Sequence, residues 1–480
     1  MLTAKKFIVA AGVLLAASVA QAQTPPKETP PAPGPLRKFD VPPVQTATLA
    51  NGIKIALIER HSLPIVTARI QVDAGAVREP ASKSGVAVLT GNLLSEGTRS
   101  LTGAEIAEKM SALGAQFGTS AQFGSANASV TSLPNVFGEA FRLAASTVTE
   151  PRFDPADFAR VRTNAIANFD QSMASASGVA NRIFVSAVYD SLTPYSRLSG
   201  GTKASLEKLT RDDVVAWHSS MYSPKNTTVM FVGDITLAAA KSLVESSLGK
   251  WNTPAPTLAP LANKVRSVPA TRVILVDRPG SVQSSLIVGQ GTVGWGTPDY
   301  FPMVAIAQVL GGGFGSRINM NLREKHGWSY GAFSSFNPLV GAGTFYISSE
   351  IRTGATDSAI AESVKEYKRI VDEAVADTEV KDQLNNVVAS FPSSVQTVQG
   401  LMSRLANVVT YGLPSDFYTT YRERLAAITP ADIGRVGKSL LTPGAITVVA
   451  VGDLKAIEAP IKALNIGPVE VWTMDGQKVR

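Results

Sequence analysis

The chain has no cysteine among its 480 residues and only three histidines. The first absence excludes disulfides, thiolate nucleophiles and cysteine-held zinc, so the fold rests on core burial. The second leaves little imidazole for metal or acid–base chemistry. His61, His218 and His326 lie far apart and show no paired spacing. Aromatic residues make up 7% of the chain, and no Lys/Arg cluster interleaves with them, which argues against nucleic acid as a partner. Beyond the first twenty or so residues, no stretch reaches the roughly 20 apolar residues of a membrane helix.

What is present begins with an export signal. Lys5 and Lys6 precede an apolar run from Phe7 to Ala20, and "AQA" ends at Ala22. This predicts a cleavable signal peptide over residues 1–22 and a periplasmic location. The run is short for a membrane span, and no cysteine at the cleavage site offers a lipid anchor. Without Lys5 and Lys6 the formal charge falls from +7 to +5, a slight basic excess on a solvated surface.

The length exceeds what one core supports. Residues 23–43 are dense in proline and predict an extended linker. A second Pro-rich stretch, Trp251 to Thr271, divides the remainder into domains at 44–253 and 271–480, joined by a linker at 254–270. A repeat supports the division. "LTRDDVVAWHSSMYSPKNTTVMFVGDI", from Leu209, aligns without a gap on "ITPADIGRVGKSLLTPGAITVVAVGDL", from Ile428. Each copy predicts a Thr-capped helix, a proline turn and a strand ending in Gly-Asp. The offset of 219 residues is too long for a solenoid and means two similar domains in tandem. Strands and helices mix without regular βαβ alternation. The expected class is α+β, each domain a mixed or antiparallel sheet with helices on one face.

One stretch carries chemistry. In "GGGFGSRINMNLREKHGWSY", Gly311 to Tyr330, Ser316 is placed to cap a helix and Gly327 to end it, with a strand following. Arg323 then falls in the last helical turns and Tyr330 early in the strand. A guanidinium offers fork-shaped donors to a carbonyl, and a phenol can donate to an oxyanion. By spacing alone the bland reading, a surface Arg and a half-buried Tyr, is favoured. "GGGFGSR" lacks the Lys-Ser/Thr ending of a phosphate loop.

The two-halved plan, the paired Gly-Asp strand ends and "NLREKHGWSY" resemble the insulinase/pitrilysin-type zinc metallopeptidases, an inverzincin family. "LANGIKIALIE" and "SEGTRSLTGAEIAEKMSALGAQFG" add to the likeness, which runs from about Val44 to about Asp453. The nearer branch is the one that includes mitochondrial processing peptidase. The resemblance implies half of a clamshell chamber. It also implies an inverted H-x-x-E-H zinc helix just before a "GT" turn, with a distal Glu. Here that segment is "GVAVLTGNLLSEGT". Val88 and Asn92 stand at the two His positions and Gly91 at the Glu. The expected region of the distal ligand, between Asp157 and Asp170, carries no acid, and Glu96 reads as a solvated loop residue.

The chain therefore resembles the zinc-less subunit of a two-chain peptidase, holding no metal itself. Zinc and the general base would come from an H-x-x-E-H partner of the same family. Arg323 and Tyr330 would serve that partner's site. Peptides would bind along the edge strand Phe117, Gly118, Thr119, Ser120, Ala121. A non-enzymatic peptide-binding or scaffold protein is the alternative that the family also implies.

Overall fold

The computed structural model describes residues 41–261 and 264–480, which fall in one compact unit. The signal peptide and nearly all of the first linker lie outside the described residues. Two six-stranded sheets carry the fold. The first contains β1 (Gln45–Thr48), β2 (Lys54–Glu59), β3 (Val66–Val72), β4 (Gln116–Ala121), β5 (Ala126–Ser132) and β6 (Thr227–Gly233). Its order is β1-β2-β6-β3-β5-β4. The second contains β7 (Arg272–Asp277), β8 (Gln283–Thr292), β9 (Ser329–Pro338), β10 (Gly343–Arg352), β11 (Thr447–Gly452) and β12 (Val469–Trp472), ordered β12-β7-β11-β8-β10-β9.

Five strands of each sheet, β2-β6-β3-β5-β4 and β7-β11-β8-β10-β9, follow one topology. β2 runs parallel to β6 and β7 parallel to β11, while the other neighbours among these strands are antiparallel. The outermost strands differ: β1 is antiparallel to β2, and β12 is parallel to β7. The sequence repeat takes the same form twice. Thr210 and Thr429 accept from the backbone N–H of Asp213 and Asp432 at 3.2 and 3.3 Å, and those carboxylates accept from the threonine N–H groups at 2.9 and 3.0 Å. Each is a reciprocal cap that satisfies two orphan donors of its helix. The helices Arg211–Met221 and Pro430–Leu440 lead through proline turns into β6 and β11.

Helices were expected on one face of each sheet, but they lie on both, because each half lends a helix to the other. On β3, alternation places Val66, Ala68, Ile70 and Val72 in the first core, with Phe137 and Phe141 of helix Pro134–Thr149. Gln71 points to the opposite face, where its amide donates to Thr410 Oγ1 at 3.1 Å. Thr410 belongs to helix Val398–Tyr411, from the second half of the chain. Conversely, helix Ala176–Val188 of the first half packs Val179, Ile183 and Phe184 against Ile274, Val276, Ile287 and Val449. The sequence boundary near residue 253 thus separates two repeats, and the first core lies before it while the second draws on both sides. The following segment holds against the end of this helix through Arg266 N–H to Val188 C=O at 2.8 Å.

Candidate functional site

In the second half, the expected single helix after Ser316 has a different form. Arg317–Asn319 makes a short α-turn, and Met320–Lys325 continues as π-helix, a form that recurs at functional sites. Ser316 does not cap it: its hydroxyl donates to Gly313 C=O at 2.5 Å. Gly327 does end it, at φ +62°, with its N–H on Arg323 C=O and the Trp328 N–H on Leu322 C=O, both at 2.9 Å. Two clamps fix the segment. Arg317 makes a bidentate pair with Glu379 at 2.7 and 2.8 Å. Asn319, fully buried, donates to Phe314 C=O at 2.7 Å and accepts from Ala332 N–H at 3.1 Å, tying the glycine loop to β9. Glycine is required at 311, where a Cβ would lie 2.1 Å from Ser334 N.

Arg323 and Tyr330 fall on either side of this turn. The Arg323 guanidinium sits 4.6 Å over the Phe314 ring, with Glu324 at 3.5 Å. Tyr330, at the start of edge strand β9, is 90% exposed. Among the described residues its hydroxyl makes no hydrogen bond. Tyr330, Phe314 and Phe333 line one cavity of about 510 Å³. Sequence reasoning missed Phe314, which carries the Arg323 guanidinium and packs on Phe333, as well as the exposed Met320 and Phe333. The only signal was an aromatic inside a glycine run.

In the first half, Val88, Gly91 and Asn92 share helix Val86–Leu93. Val88 and Asn92 face a cavity of about 760 Å³. Gly91 does not. A Cβ there would lie 2.7 Å from both the N and the Cβ of Ala121, and 2.8 Å from Ser120 C. Strand β4 has filled the space that a glutamate side chain would need. The helix start is capped from a distance by Glu79, whose carboxylate accepts from Gly85 N–H at 2.9 Å and Ala87 N–H at 3.2 Å. Burial nonetheless pushes that carboxyl up to about 7.

The residues present do not fit zinc. Among the described residues no three His, Asp or Glu side chains cluster as ligands. Asp157 pairs with Arg152 and Arg160, and Asp170 with Lys203. Glu96, expected as a solvated loop residue, forms an ion pair with Arg160. His218 is buried and donates to Val148 C=O at 2.8 Å, and burial lowers it to about 4. His61 bridges Asp234 and Glu59 at the surface, which raises its pKa. His326 stacks on Trp328.

The expected peptide-binding strand is β4, which ends the first sheet and pairs only with β5. Phe117, Gly118, Thr119 and Ser120 lie along the open stretch. Ala121 ends the strand with its side chain buried against Gly91.

Comparison with known proteins now places this architecture. The family profile "Insulinase (Peptidase family M16)" matches residues 54–195, and "Peptidase M16 inactive domain" matches residues 208–387. The non-peptidase homolog YmxG of Helicobacter pylori is 20% identical, over 80% of this chain and 88% of its own. The probable mitochondrial-processing peptidase subunit beta of Schizosaccharomyces pombe is 22% identical, over 87% and 93%. Among solved structures, a peptidase M16 inactive domain from Pseudomonas fluorescens matches with a TM-score of 0.80 at 26% identity, covering 85% of this chain and 98% of that one. The chain belongs to the insulinase family. Its first half has Val88, Gly91 and Asn92 at the positions where the resemblance implied the H-x-x-E-H residues.

Proposed function

We propose that this chain is the zinc-less subunit of a periplasmic two-chain metallopeptidase that degrades peptides. The observation that carries the reading is the contrast between its halves. Gly91 is closed over by Ala121, whereas Tyr330 stands 90% exposed and shares a cavity with Phe314, the ring that Arg323 lies over. An exposed phenol with no protein partner suits a site completed by another chain. That partner would carry H-x-x-E-H, with its zinc and general base.

The roles of this chain's residues follow from their chemistry. Arg323 would hold a peptide carbonyl with its guanidinium fork. Tyr330 would donate a hydrogen bond to the oxyanion of the tetrahedral intermediate, worth on the order of 3 kcal/mol. An extended peptide would add to the open edge of β4 from Phe117 to Ser120. The test is peptide cleavage by the purified chain with an exported H-x-x-E-H relative from the same cell. Activity is expected only in the mixture, falling roughly a hundredfold with Tyr330→Phe. Activity of the chain alone, or an unaffected Tyr330→Phe mixture, would refute this reading. The name of the Helicobacter relative, a non-peptidase homolog, favours as second reading a peptide-binding or scaffold protein without catalysis. Silence of the mixture despite partner binding would select it.

A further inference from the structure

The 760 Å³ cavity in front of Val88 and Asn92 has its own chemistry. No Asp, Glu or Lys lines it, and Arg197 is the one charged residue on its wall. That guanidinium makes no ion pair among the described residues. The acid that its charge reaches, Glu79, already accepts from two backbone N–H groups at the start of the Val86–Leu93 helix. Next to Arg197, the N–H groups of Leu198, Ser199 and Gly200 donate to no protein acceptor among the described residues. A cation beside successive free N–H groups is a setting for an anion.

The rest of the wall says what the anion is attached to. Phe123, Tyr195, Trp295 and Tyr411 give it an aromatic side. Trp295 is stacked between Tyr300 and Tyr411, with ring centres 4.5 and 5.0 Å apart. The carboxamides of Asn92, Asn168 and Asn181 also line the cavity and make no hydrogen bonds among the described residues. Each amide offers both a donor and an acceptor, the pair that a peptide group demands. The volume lies in the range of small-molecule and short-peptide sites.

We propose that the chamber left without a metal site binds the free C-terminal end of a peptide. The carboxylate meets Arg197 and the N–H groups of residues 198–200. The last side chain, aromatic or aliphatic, lies against Trp295 and Tyr411. The asparagines pair with the peptide groups behind it. This binding belongs to the isolated chain and does not depend on the roles of Arg323 and Tyr330.

The experiment is calorimetric titration of the purified chain with a hexapeptide ending in phenylalanine, with Trp fluorescence recorded in parallel. The free acid is expected to bind and to change the fluorescence, a change lost in Trp295→Phe. The C-terminal amide of the same peptide, and the same peptide ending in aspartate, should bind at least tenfold more weakly. Arg197→Gln should weaken the free acid by a similar factor, while Tyr330→Phe should bind it like the wild type. Equal binding of acid and amide overturns the proposal, and that comparison needs no folded variant. It is also overturned if none of the peptides binds, or if decanoate binds as tightly as the peptide.

Discussion

Replacing Gly91 by alanine puts one methyl group into the contact between helix Val86–Leu93 and β4. The new Cβ would sit 2.7 Å from Ala121 N and Cβ and 2.8 Å from Ser120 C, against 3.5–4.0 Å for a relaxed carbon contact. Two of these neighbours are backbone atoms of β4, which is pinned by its register with β5 from Gln116 to Ala121. The strand cannot yield locally. Overpacking of this kind costs about 1–3 kcal/mol, while Gly→Ala in a helix gains about 1 kcal/mol, leaving a net loss of up to about 2 kcal/mol. Gly434 supplies the control: it lies in helix Pro430–Leu440, and a Cβ there would meet nothing within 4 Å. Gly434→Ala should therefore stabilise by up to about 1 kcal/mol. Urea unfolding of both variants, followed by far-ultraviolet circular dichroism, reads the difference in midpoint at equal slope. If Gly91→Ala stabilises as much as Gly434→Ala, β4 does not close the site and the steric argument fails.

Three further outcomes are expected. Restoring the motif with Val88→His, Gly91→Glu and Asn92→His should give no stoichiometric zinc by metal analysis and a lower unfolding midpoint, because Ala121 occupies the space and no distal acid is placed to help. Asn319→Ala should lose about 1–3 kcal/mol by stranding Phe314 C=O and Ala332 N–H. It should also lower turnover of the two-chain mixture without lowering affinity for the partner subunit. Glu79 in the folded state holds a proton between pH 4.5 and about 7 that the unfolded chain has released, so its contribution to stability falls as pH rises through that window. The fall amounts to about 3 kcal/mol from the size of the shift. The destabilisation caused by Glu79→Gln, measured by urea unfolding at pH 5 and pH 8, should shrink by a comparable amount. An equal loss at both pH values would show that Glu79 is not raised.

The amino-acid pattern by itself determined a good deal of this protein. Thr210 with Asp213 and Thr429 with Asp432 are local signals. A capping threonine and an acid three residues on fix a helix start whatever surrounds them, so both repeats were legible. Val88, Gly91 and Asn92 ruled out an H-x-x-E-H set on that helix by residue type alone, since none supplies an imidazole or carboxylate ligand. The end of the helical turn between Arg323 and Tyr330 was legible through Gly327. Other features rested on contacts distant in sequence. Ser316 looks like a helix cap, yet Gly313 lies close enough to take its hydroxyl, and the following turn relaxes to π-helix between the Glu379 and Asn319 clamps. Ala121 reads as one more residue of an edge strand, and only the structure shows its side chain packed on Gly91. The exchange of helices Ala176–Val188 and Val398–Tyr411 leaves no local mark, because an amphipathic helix does not encode which sheet it will cover. Periodicity and residue chemistry were fixed along the chain. Only the tertiary structure decided which faces meet, and hence that Val88 and Asn92 face a cavity in which Arg197 is the one charged residue among the described lining.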